Sequence, residues 1–339
     1  MARHIFGKEL DVTKLKSNVL SDLNKHIGKI HFMMDELKNI GKIVTQPKCF
    51  ICNSTKSSHF SNVYGFEYVE CSDCSHVYTQ TRYRDEDIIE FYTENATYSQ
   101  VTYANKETCN YRRDCVAKPK FDFVIDNISG IPSTKKWLDV GCGIGDLVSV
   151  ANDSGWDCTG LELSRHSIAF SKEIFNQNLV QSTLEDHAAK SNDRYDIISF
   201  IGVLEHVINP IKHLEITHEL LGQDGYVLIQ VPNALSMSTF TQDIFPNTVF
   251  RHMSPVEHIM LFSQTSLEKA LTLTGFEPVV YWWHGLDSYE ILNQITLLSK
   301  EEIHNTKFNN AWMKLMSEIQ LVFDNNKLSD RILCLAKKI

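Results

Sequence analysis

Four cysteines form two pairs, Cys49-x-x-Cys52 and, eighteen residues on, Cys71-x-x-Cys74. Two thiolate pairs at that spacing suit a tetrahedral Zn²⁺, and four sulfur ligands leave no open position for water or substrate, so the expected role is structural. A redox Cys-x-x-Cys would not account for two pairs. The second chemical pattern is Trp137-Leu-Asp-Val-Gly-Cys-Gly-Ile-Gly145, an apolar run entering a turn whose glycines alternate with other residues. Glycine lets backbone N–H groups approach a ligand closely, so Gly141, Cys142, Gly143 and Gly145 read as a nucleotide-type cradle. The spacing departs from the dinucleotide fingerprint, whose third glycine comes three positions after the second, and Asp139 is a further departure. Glu162, twenty-one positions beyond Gly141, is placed to accept hydrogen bonds from ribose hydroxyls. Glu205-His206 and, farther on, His258 add groups able to move a proton near neutral pH.

These residues need elements to hold them. From 116 to 285 apolar strands alternate with helices, as in a parallel sheet flanked by helices. Strands are expected at Lys136–Val140, Asp157–Leu163, Leu179–Gln181, Tyr195–Phe200, Gly225–Val231 and Glu277–Trp283, with Asp330–Lys337 returning as a seventh. The glycine turn, Glu162, Thr183-Leu184 and Ile201-Gly202 then all follow strand ends, where an open α/β sheet binds its ligand. Phe60 to Glu70, aromatic and β-branched around Gly65, reads as a hairpin between the cysteine pairs, which suits a zinc ribbon. Residues 8–40 carry apolar positions at helical spacing, and 287–328 reads as a mainly helical insertion. Tyr83, Tyr92, Tyr98, Tyr103 and Tyr111 mark a stretch that serves either as a lid or as interdomain packing. Trp282 and Trp283 are expected to alternate between core and surface on their strand.

Composition narrows the function classes. The chain has 339 residues, 43% hydrophobic and 22% charged, with net charge −9. That acidity argues against a nucleic-acid partner bound through phosphates. No apolar run reaches the length of a membrane span and the N-terminus shows no signal-peptide pattern, so a cytoplasmic protein with a small-molecule substrate is expected. A homo-oligomer stays open. Cys142, Cys109, Cys115, Cys158 and Cys334 lack paired spacing and read as small buried side chains.

In their order, Leu138 to Gly145, Gly160-Leu161-Glu162, Asp196 to His206, and Leu220 through Val231-Pro232-Asn233 resemble the successive motifs of class I S-adenosylmethionine-dependent methyltransferases. Glu257-His258 through Ser263, with Gly275-Phe276, is similar to their downstream region. With a preceding zinc ribbon, the chain resembles the methyltransferases that modify sugars, antibiotics and surface polysaccharides, although the long C-terminal domain of the sugar C-methyltransferases is missing. The resemblance implies a Rossmann-like, seven-stranded, mostly parallel sheet and S-adenosyl-L-methionine as cofactor. It places Asp139 and the turn Gly141 to Gly145, Cys142 included, at the methionine end. Glu162 and Leu163 fall at the ribose, Thr183 and Leu184 beside the adenine, and Ile201 and Gly202 beside the sulfonium. His206 becomes the first candidate base, with Glu205 to orient it or act itself and His258 and His252 as weaker candidates.

The expected organisation is a helical segment over 1–46, a zinc ribbon over 47–82, a linker or lid over 83–115, and the main domain over 116–339. Two competing readings are an NAD-dependent oxidoreductase, which shares the glycine turn and distal acid, and a non-catalytic zinc-ribbon binding module on a methyltransferase-like fold.

Overall fold

The computed structural model describes residues 2–15, 28, 42–84, 86, 87, 90, 106–246, 252–255, 258–299 and 306–339. In chain order the strands are β1 (Arg3–Phe6), β2 (Ile43–Thr45), β3 (Ser57–Val63), β4 (Phe66–Cys71), β5 (Val77–Thr79), β6 (Thr81–Tyr83) and β7 (Lys136–Val140). There follow β8 (Asp157–Glu162), β9 (Val180–Gln181), β10 (Tyr195–Ile201), β11 (Leu221–Pro232), β12 (Met260–Leu261), β13 (Phe276–Trp283) and β14 (Arg331–Lys338). The central sheet runs β1-β13-β14-β11-β10-β7-β8-β9. Its pairings are parallel except on both sides of β14. Ile197, Ile198, Ser199 and Phe200 of β10 are all buried, the pattern of a strand covered on both faces.

The seven expected strands are present, but the sheet has eight. The addition is β1, paired in parallel with β13 from Arg3↔Val280 to Phe6↔Trp283. Four residues beginning Arg-His carry no alternating pattern, so only the tertiary pairing makes them a strand. β1 also corrects the expectation for the tryptophans. Trp282 and Trp283 are both buried, because each face of β13 is covered and its edge carries β1. Trp282 Nε1 donates to Gly7 O (2.8 Å) and Trp283 Nε1 to His4 Nδ1 (3.0 Å).

β3 and β4 form the expected hairpin, turning at Tyr64-Gly65, whose φ values of 52° and 82° suit a two-residue hairpin turn. Its sheet does not close on itself: the order is β12-β5-β4-β3, so a strand from the main domain completes it. The stretch 287–328 contributes two helices, Asp287–Leu298 and Lys307–Asn325. Within 1–46, the described elements are β1, one helical turn at Val12–Leu15, and β2. Most of the helix expected over 8–40, and Tyr92, Tyr98 and Tyr103, lie outside the described residues. Among the described residues no helix is long and apolar enough to cross a membrane.

Candidate active site

The strand order reverses between β7 and β10, and a cavity of about 270 Å³ opens at their carboxyl ends. β7 delivers the glycine turn, which leads into the helix Asp146–Asp153. Gly141, Gly143 and Gly145 hold φ of 63°, 57° and 72°, a region that side chains disfavour. A Cβ on Gly141 would also stand 2.7 Å from Val203. Cys142 anchors the turn by donating its N–H to Leu161 O at 2.9 Å, and its thiol is buried where a Cβ on Gly160 would meet it. It is a packing residue whose backbone belongs to the cradle.

Asp139, only 2% exposed, lines the cavity beside this turn. Its Oδ1 accepts from Ser199 Oγ at 2.5 Å, and Trp137 Nε1 in turn donates to that hydroxyl at 2.8 Å. Burial pushes the carboxyl up to about 7, against the Ser199 hydrogen bond and the field of Lys120. Lys120, in the helix Lys118–Ile125, is 5% exposed and forms another wall of the cavity. Burial, then repulsion from Arg331, pushes its ammonium down to about 7. Sequence reasoning missed Lys120, Arg112 and Arg331, which share the cavity, because lysines and arginines on helices and strand ends read as solvated charge.

Glu162 ends β8 and turns back onto the cradle. Its Oε2 accepts from Gly143 N (2.9 Å), while Oε1 accepts from Leu163 N (2.9 Å) and Ser164 N (2.8 Å). Burial nonetheless raises its pKa. Oε1 is filled by its two donors, but Oε2 keeps a second lone pair, so a ligand hydroxyl can still be accepted there. Thr183 caps the helix Leu184–Lys190 by accepting from Asp186 N at 3.1 Å, and the Leu184 side chain is buried in the core. Gly202, at φ 72°, donates to Gln230 O at 2.9 Å. The cavity walls therefore include Asp139, Gly141, Cys142, Gly143, Ile201, Glu205 and His258. Gly145, Glu162, Leu163, Thr183, Leu184, Gly202 and His206 are not among them.

Glu205 is 3% exposed, and its Oε2 has no hydrogen-bond partner among the described residues. Burial pushes it up to about 8. One ligand-type atom from each of Glu205, His206 and His258 lies within 4.8 Å of the other two. The two imidazoles meet edge to face, with centroids 4.8 Å apart. His258 Nδ1 sits 2.8 Å from His252 O; a carbonyl only accepts, so Nδ1 carries the proton there. His252 Nε2 lies 3.1 Å from Asp330 Oδ2.

The four paired cysteines converge as their spacing predicts. Cys49 and Cys74 sulfurs are 3.6 Å apart, those of Cys52 and Cys71 3.5 Å, and all four fall within 4.8 Å of one another. A disulfide needs about 2 Å, whereas sulfurs around a tetrahedral Zn²⁺ stand about 3.8 Å apart at Zn–S of about 2.3 Å. The donor set and spacing fit the ion. This centre is tied to the cavity: Tyr68 Oη donates to His258 O (2.9 Å), and Thr79 N donates to Ile259 O (2.9 Å).

Comparison with known proteins adds a family match: a model described as "Methyltransferase domain" matches residues 110–281. The ubiquinone biosynthesis O-methyltransferase of Vibrio campbellii is 26% identical over 209 residues, covering 56% of this chain and 84% of that protein. Its counterpart in Vibrio vulnificus strain YJ016 is 28% identical over 177 residues, covering 47% of this chain and 75% of that one. Among solved structures, an S-adenosylmethionine-dependent methyltransferase from Archaeoglobus fulgidus superposes with a TM-score of 0.44 at 19% identity, covering 67% of this chain and 94% of that one.

Proposed function

The chain belongs to the methyltransferase-domain family, as a class I S-adenosylmethionine-dependent methyltransferase, and on that premise we propose which residues hold the cofactor and what acceptor it serves. The observation that carries the assignment is a buried carboxylate and a buried ammonium, Asp139 and Lys120, facing one cavity at the glycine turn. That pair complements the ammonium and carboxylate of an amino-acid tail, and low exposure makes each contact stronger than it would be in water. Asp139 holds the methionine ammonium and Lys120 its carboxylate. Gly141, Cys142, Gly143 and Gly145 let the backbone approach the tail. Glu162 takes the ribose hydroxyls with Leu163 beside it, Thr183 and Leu184 border the adenine, and Ile201 and Gly202 flank the sulfonium.

The bound cofactor supplies an activated methyl group for in-line displacement, so this chain must mainly align the acceptor and remove its proton. Glu205, His206 and His258 stand on the acceptor side, with His206 the first candidate for the base and Glu205 its orienting partner. A hydroxyl of a small molecule is the acceptor these groups suit. The relatives named for O-methylation support the oxygen, and the zinc-ribbon arrangement supports a sugar-derived or polysaccharide-related compound over other metabolites. The four-cysteine centre holds a structural Zn²⁺. We retain the organisation into a segment 1–46, a ribbon 47–82, a connecting stretch 83–115 and a main domain 116–339 carrying the helices of 287–328. The family match displaces the oxidoreductase reading, and the intact glycine turn and Glu162 weigh against the non-catalytic one.

Calorimetry with S-adenosylhomocysteine tests the site. Binding to the zinc-loaded protein should weaken about 10- to 100-fold in Asp139→Asn, the loss of a charge-assisted hydrogen bond of roughly 1.5–3 kcal/mol. Unchanged affinity in both Asp139→Asn and Lys120→Met would remove these residues from the cofactor site.

A further inference from the structure

We propose that Glu205, His206 and His258 form a second metal site, taking a divalent cation such as Mn²⁺, Co²⁺ or Zn²⁺ on the acceptor side of the cavity. Two imidazoles and one carboxylate are a donor set for first-row metals, and three protein ligands leave positions open to water or substrate. The three groups come from two segments far apart in the chain: Glu205 and His206 follow β10, and His258 precedes β12. Their ligand atoms already lie within 4.8 Å of one another. Around an ion at about 2.1 Å, tetrahedral ligands stand about 3.4 Å apart, so side-chain rotation closes the difference.

Two observations point to a ligand rather than to a core cluster. Glu205 is 3% exposed, lines the cavity, and keeps Oε2 without a hydrogen-bond partner among the described residues. Buried carboxylate oxygens are normally satisfied, because leaving one unmade is costly. His258 is also prepared: its Nδ1–H is engaged by His252 O at 2.8 Å, which leaves Nε2 as the lone-pair nitrogen. A backbone carbonyl fixing one ring nitrogen while the other ligates is the usual support of a metal-binding histidine.

The ion's role rests on the methyltransferase reading above; its binding does not, and with the ion bound His206 and Glu205 serve as ligands, the ion replacing His206 as the means of deprotonating the acceptor. A coordinated acceptor hydroxyl loses its proton to solvent more readily. An oxygen lone pair then forms the O–CH₃ bond as the S–CH₃ bond breaks, and the departing electron pair stays on sulfur as a neutral thioether.

The test uses the full chain with its four-thiolate zinc in place, titrated with Mn²⁺, which thiolates bind poorly. One Mn²⁺ per chain is expected by calorimetry and electron paramagnetic resonance, with zinc content unchanged. Glu205→Gln and His258→Asn should each weaken it at least tenfold. S-adenosylhomocysteine affinity, measured in parallel, reports whether each variant is folded. No Mn²⁺, Co²⁺ or Zn²⁺ bound beyond the four-thiolate ion by the unaltered protein overturns the site, as does wild-type affinity in both variants. A protein that binds Mn²⁺ but no S-adenosylhomocysteine would retain the metal site and lose the methyltransferase assignment of the cavity.

Discussion

Asp139 and Lys120 sit on opposite sides of the same ionisation problem. Burial holds the carboxyl near 7 from below and the ammonium near 7 from above. In the proposed site the cofactor's tail needs Asp139 charged and Lys120 protonated. Affinity for S-adenosylhomocysteine should therefore peak near neutral pH, falling at lower pH as Asp139 gains its proton and at higher pH as Lys120 loses one. Asp139→Asn should abolish the acid limb and Lys120→Met the alkaline one; a flat profile between pH 6 and 8 in the unaltered protein would contradict the pair. Gly141→Ala should cost roughly 1–3 kcal/mol in urea unfolding, from its positive φ and the approach of Val203. Asp139 and its glycines were legible because a strand, an acid and a turn adjoin in the chain. Lys120 was not. It shares a helix with Lys118, which is exposed and paired with Asp122 at 2.7 Å, and only burial separates the two.

At the scale of elements, the four-cysteine segment bears on the cavity through β12. Tyr68 and Thr79 of that segment hold the carbonyls of His258 and Ile259, so loosening the four-thiolate centre should displace His258 while leaving the glycine turn intact. Chelation, or Cys71→Ser, is expected to lower turnover at least tenfold with little change in S-adenosylhomocysteine affinity. Full turnover in zinc-depleted protein would separate the segment from the reaction. The hairpin of β3 and β4 was readable because aromatic and β-branched residues flank a Tyr-Gly turn. Two residues of β12 and four of β1 carry no period, and pairing partners far along the chain define them.

Across the whole molecule, buried acids fasten the C-terminal helices to the sheet. Asp287 accepts from Ser238 N (2.9 Å) and Ser238 Oγ (2.8 Å) on one oxygen, and from Asp330 N (2.8 Å) and Gln320 Nε2 (3.0 Å) on the other. Burial, then repulsion from Asp330, pushes its pKa up to about 7. Because the folded pKa exceeds the unfolded value of about 3.9, the folded state holds the extra proton between those limits, and stability from this group declines as pH rises through them. Thermal melts between pH 5 and 6.5 should show this as a downward contribution to Tm that Asp287→Asn removes; an equal slope in the variant would refute it. The fold class was legible in the order of strand-end motifs, whereas the net charge of −9 concealed Arg112, Lys120 and Arg331 gathered around one cavity. The pairing of β1 with β13 also sets a timetable for synthesis. Gly7 and Trp282, joined by a hydrogen bond, are 275 residues apart. At about 5–20 residues per second, a ribosome needs roughly 14–55 seconds to cover that distance, so the first strand made waits unpaired while most of the protein is translated. A nascent chain arrested before residue 276 has no partner for it.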